Sequence, residues 1–198
     1  FFIPLLYIWG WICAQPFRIF FSEINNNDIS LIGTFITFCT FLVLLPSWGN
    51  LRWLESNPWF AIGLRNFFNL RNIIFFIKGL ILAILLILIV LVTLFWGGWI
   101  ENIASISSAN LIHAILLGLS VAFAEEIVFR GWLLEEMIYL LGKPLGIFIQ
   151  SLIFSLAHIR LNMDLINSFP LFLGLFLLAL VLTIRRNLDG GSLSGSIA

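Results

Sequence analysis

The sequence predicts an all-α fold, a polytopic transmembrane helical bundle. Hydrophobic residues make up 61% of the chain and charged residues only 10%, whereas a soluble domain carries about 25% charged residues. Mean hydropathy is +1.10. Apolar runs close to the ~20 residues that a helix needs to cross a ~30 Å hydrocarbon core recur along the chain. The lipid bilayer is therefore an expected partner. Formal net charge is zero and no basic tail exists, so nothing points to nucleic acid.

In chain order the runs fall near 3–21, 30–48, 73–97, 109–124, 145–158 and 169–184, about six spans. Cys13 and Cys39 lie inside the first two without metal-ligand spacing and read as packing residues. Between the second and third runs, 49–72 mixes Trp53, Trp59 and Phe67 with Arg52, Arg65 and Arg71, which suits an amphipathic stretch in the headgroup region. The basic residues of 49–72, Lys143, Arg185 and Arg186 contrast with 22–29 and 98–108, which have no Lys or Arg. The positive-inside rule then predicts an integral, multi-pass protein with its N-terminus, 49–72, 142–144 and 185–198 on the cytoplasmic side. Arg18 and Arg160 oppose that arrangement. The expected division is 1–108, N-terminal transmembrane helices with the interfacial segment, and 109–198, which carries the chemistry.

Within this oily chain the stretch "AFAEEIVFRGWLLEE", 122–136, needs an explanation. On a helix Glu126 and Arg130 lie four apart and share a face, while Glu125 points about 100° away. Pairing neutralises Glu126, but an isolated ionised group in hydrocarbon costs at least ~2.5–3.5 kcal/mol, so Glu125 must face a cavity or a partner. Gly118 and Ala122 continue the pair's face at small-xxx-small spacing, which predicts a close helix neighbour. Two readings compete: charges marking the watery end of a span, or a site at membrane depth. A helix starting near Asn110 reaches Glu125 after about 22 Å, short of a ~30 Å core, and the apolar run resumes at Trp132. Depth is the better reading.

"GKP" at 142–144 ends one helix and starts the next, since Gly suits a C-terminal cap and Pro a first turn. In the resulting hairpin Glu125, seventeen residues before Gly142, and His158, fifteen after Lys143, come level to within about 3 Å. Phe154 shares a face with His158 in "FSLAH". His113 sits about 18 Å from Glu125 along the same helix and is excluded. Lys78, Asp164 and Glu101 have no polar companion at helical spacing and read as interfacial or snorkelling residues.

A carboxylate beside an imidazole can take a proton from water and deliver it to a leaving amine, which is amide hydrolysis without a covalent intermediate. Both side chains can also ligate a divalent metal such as zinc, although two ligands fall short of the usual three. Composition and spacing leave both open. There is no H-E-x-x-H and no G-x-S-x-G.

"EEIVFR" at 125–130 and "FSLAH" at 154–158 resemble E-E-x-x-x-R and F-x-x-x-H, the first two motifs of the CPBP intramembrane endopeptidases. That family includes the type II CAAX prenyl proteases and bacteriocin-processing proteins. The resemblance covers about the last ninety residues. It implies a protease in which Glu125 activates water, His158 assists, and Glu126, Arg130 and Phe154 support the site; the substrate is a peptide or protein, prenylated in the CAAX members. A catalytically silent relative, acting in immunity or as a scaffold, is the alternative. A proton-coupled transporter is disfavoured, since neither repeats nor interrupted helices are found. The family's third motif, a histidine with Asn or Asp four residues later, is not in 1–198. The expectation is that it lies in a further helix beginning at "SLSGSIA" and continuing past Ala198. Asn187 and Ser192, placed toward water, are not expected to replace it.

Overall fold

The computed structural model describes residues 2–21, 24–64, 69–99, 107–159 and 164–198. Arg65, Phe67, Glu101 and Arg160, singled out above, lie outside these residues. Among the described residues every regular element is a helix. The chain divides into two compact units, 1–58 and 59–198.

The first unit holds α1 (Phe2–Ala14), α2 (Pro16–Phe20) and α3 (Asn26–Arg52). α1 and α3 pack through small residues: a Cβ on Gly10 would collide with Thr37 and with the Gly33 carbonyl. The Thr37 hydroxyl donates to the Leu6 carbonyl at 3.2 Å. Without a hydrophobic driving force between helices in lipid, such close approach and interhelical hydrogen bonds supply the association.

The second unit opens with α4 (Pro58–Ala61) and α5 (Leu70–Trp96). Then follow α6 (Ser108–Glu125), a π-helical segment Glu126–Leu133, α7 (Leu134–Leu141), α8 (Lys143–Ala157), α9 (Leu165–Leu188) and α10 (Ser194–Ile197). Gly142, at φ +77°, ends α7 in a backbone conformation that glycine adopts without a Cβ penalty. α7 and α8 then fold back as the predicted hairpin. A Cβ on Gly146 would come within 2.8 Å of the Ile138 nitrogen, so glycine is what lets the two backbones approach. Thr183 of α9 donates to the Gln150 side chain of α8 at 3.2 Å, both wholly buried.

Among the described residues four stretches have the length and hydropathy of a span: Asp28–Arg52, Leu70–Trp96, Asn110–Leu141 and Ser168–Leu188. The other two expected runs are shorter. The first ends as α1 at 13 residues, where Gln15–Pro16 interrupts it, and α8 has 15 residues. At 1.5 Å per residue these reach roughly 20–22 Å, less than a ~30 Å core.

Of segment 49–72 the described residues form the end of α3, to Arg52, the single turn α4 and the start of α5, with Ile62 fully buried. Two local expectations are corrected. Gly118 faces open space, with nothing within 4 Å of a Cβ placed on it, so no helix crosses there among the described residues. Ser192 is fully buried, not near water; its hydroxyl donates to Asn72 Oδ1 at 3.2 Å. Ser192 is buried because α10 packs on α5, where Gly79 admits the Gly195 carbonyl and a Cβ would not fit.

Candidate active site

α6 delivers Glu125 as its last residue, in the middle of the continuous helical stretch Asn110–Leu141 and not at its end. α8 delivers His158 one residue past its own end. The two meet, as their distances from the 142–144 turn predicted: His158 Nε2 lies 3.2 Å from Glu125 Oε1. Both side chains are about one-third exposed, 30% for His158 and 34% for Glu125. A small molecule can therefore reach the pair.

The other imidazole nitrogen fixes the ring. Nδ1 lies 2.7 Å from the Phe154 carbonyl, which can only accept, so Nδ1 carries a hydrogen. Nε2 faces the Glu125 carboxylate oxygen within hydrogen-bond reach. The Phe154 ring lies 4.4 Å from the imidazole, centroid to centroid, and the Phe129 ring meets Phe154 edge-on at 5.0 Å.

Glu126 and Arg130 make the second pair, 3.1 Å apart, with side chains 4% and 1% exposed. The Arg130 guanidinium also sits over the Phe154 ring, 4.0 Å from its centroid, a cation–π contact that strengthens away from water. Phe154 is thus wedged between the Arg130 charge and the His158 ring. The Ser196 side chain of α10 also approaches the Glu126 carboxylate, a contact that the sequence did not signal beyond the small residues of "SLSGS". His113 is exposed on α6, and Lys78 and Asp164 are exposed as well.

In the last turn of α9, Arg186 Nη2 donates to Glu135 Oε1 at 2.8 Å and to the Ala61 carbonyl at 3.1 Å. Arg185 donates to Asp189 at 3.0 Å and to the Phe75 carbonyl at 3.3 Å. Burial pushes the Asp189 carboxyl above its ordinary range, and Arg185 pulls it back. These arginines, read from sequence as charges outside the membrane, tie the ends of α9, α7 and α5 together.

Among the described residues no three His, Cys, Asp or Glu side chains come together to hold a metal. Glu125 Oε1 and His158 Nε2 offer two ligands, one fewer than a catalytic zinc ordinarily has. An apolar cavity of about 530 Å³ between α5, α6 and α10 is lined by Phe76, Leu119, Phe123 and Ile197 among others. Neither Glu125 nor His158 lines it.

Residues 106–198 match the family model described as Type II CAAX prenyl endopeptidase Rce1-like. That match supports the CPBP/CAAX protease family for the C-terminal part of the chain. Both matched motifs fall inside this segment, and the pair described above lies within it. Residues 1–57 match a domain of unknown function, DUF8676. No curated protein and no solved structure matches the chain. The CAAX-protease segment carries every side chain of the Glu125–His158 and Glu126–Arg130 pairs.

Proposed function

We propose that the protein is an intramembrane endopeptidase that hydrolyses a peptide bond with water activated by Glu125 and His158. The observation that carries this is the 3.2 Å contact between Glu125 Oε1 and His158 Nε2, with Nδ1 committed to the Phe154 carbonyl. The contact can open to admit one water. Glu125 then accepts a proton as the water oxygen attacks the scissile carbonyl carbon. The C–N bond breaks, and the same proton passes to the leaving amine, so the pair ends as it began. His158, oriented through Nδ1, holds the attacking water while Glu125 carries the proton. Glu126, Arg130 and Phe154 keep the hairpin in the register that this requires.

The substrate of this reading is a peptide or protein segment. A prenylated C-terminus is the specific form that the family description supports. The protease core is 109–198, with 1–108 as accompanying transmembrane helices, and the N-terminus and 185–198 face the cytoplasm. A divalent ion such as zinc, where one is used, would be held by Glu125 and His158 and would polarise water or the carbonyl.

Cleavage of prenylated and unprenylated peptides by the purified protein in bilayers, with and without a chelator, tests the reading. Chelator-resistant cleavage supports the metal-free form. Absence of cleavage across both peptide classes points to a catalytically silent relative.

A further inference from the structure

Glu125 is the last α-helical residue before the π-helical segment Glu126–Leu133. Where i→i+5 bonds replace the α pattern, a turn takes up one extra residue, equivalent to about 100° of α-helical rotation. The π register therefore sets the direction in which Glu125 leaves the helix relative to the α7–α8 hairpin. π turns are rare without something to hold them, and one contact is placed to do so. Gly131 lies within the segment, and a Cβ there would meet the Ile62 Cβ and the Ile62 carbonyl at 3.3 Å. Ile62 is fully buried and its neighbours are anchored. Arg186 donates to the Ala61 carbonyl at 3.1 Å, and the Leu193 N–H donates to the Gly63 carbonyl at 3.1 Å. A short segment bound to both ends of the α9–α10 connection is thus pressed onto the π turn.

We propose that Ile62 is a positioning residue: seated on Gly131, it holds the π register that aims Glu125 at His158. The proposal rests on the proteolytic reading for its kinetic consequence but not for its geometric one. A displacement of about 1 Å in a reacting group lowers turnover by roughly 100-fold. Ile62→Ala keeps the Cβ that meets Gly131 but empties the rest of a fully buried side chain beside it, so the turn should loosen: kcat should fall severalfold with KM nearly unchanged, and Ile62→Val should restore most of it.

The deciding experiment needs no activity. In membranes, the Glu125→Cys/His158→Cys double variant is treated with a short bifunctional thiol reagent, with Ile62 intact and with Ile62→Ala. Efficient cross-linking with Ile62 and a severalfold loss with Ile62→Ala supports the proposal; equal cross-linking overturns it. Should Ile62→Ala reduce membrane yield, the same comparison is read on Ile62→Val, which removes one methyl group, with a smaller loss expected and none contradicting. Cross-linking that depends on Ile62 in a protein that cleaves nothing would sustain the positioning role and reject the protease.

Discussion

Adjacent glutamates at 125 and 126 have opposite fates. Glu126 is 3% exposed and tied to Arg130, while Glu125 is partly exposed and lies 3.2 Å from His158 Nε2. Substituting Arg130 by Ala leaves a buried carboxylate unpaired, and breaking such a pair costs about 3–5 kcal/mol. Membrane abundance should fall sharply. Arg130→Lys should recover only part of it, because an ammonium cannot lie flat on Phe154 as the guanidinium does; quantifying the protein in the membrane for both variants checks this. Phe154→Leu keeps an apolar side chain, though a smaller one, and removes the π face between Arg130 and His158. It should lower turnover more than yield, measured side by side on one preparation. At this scale the sequence was informative: the i, i+4 spacing of Glu126 and Arg130 and the nearly equal distances of Glu125 and His158 from the 142–144 turn foretold both contacts. It could not show that Phe154 joins them, because that depends on the rotation between α6 and α8.

At the scale of elements the hairpin was legible and the π segment was not. "GKP" announces its turn through the chemistry of glycine and proline, but a π turn has no comparable residue signature, since it depends on what packs around it. Treating 110–141 as one ideal helix still gave the correct level for Glu125, because axial rise changes little while azimuth changes much. Deleting Val128, inside the π segment, should let the helix relax toward the α pattern and turn Glu125 about 100° from His158. Helical content by circular dichroism should be retained while the cysteine-pair cross-link between positions 125 and 158 disappears. The mistaken neighbour at Gly118 has a similar origin: small-xxx-small spacing permits close approach but does not say which helix arrives. Close approach occurs instead at Gly146 and Gly79.

For the whole molecule, composition alone established a helical membrane protein, because no other class tolerates so few charges. The number of spans was harder to read. Hydropathy counts apolar residues, whereas spanning needs an unbroken helix, and Pro16 divides the first run. Arg185 and Arg186 were counted as free charges for orientation, yet Arg186 is 3% exposed and bound to Glu135 and Ala61. Its charge serves the fold as well as any topology signal. All the site contacts described here lie within the 59–198 unit. That unit produced alone should therefore insert into membranes and still cross-link at positions 125 and 158; loss of the cross-link with normal yield would assign residues 1–58 a part in shaping the site. The central claim, that Glu125 and His158 together activate water, is tested most directly by turnover of a cleavable peptide with Glu125→Gln, which is nearly isosteric but cannot accept the proton. General-base catalysis contributes about 10²–10⁴-fold, so a loss of at least ~100-fold at unchanged membrane yield is predicted, whereas turnover within a few fold of the native protein would contradict the account.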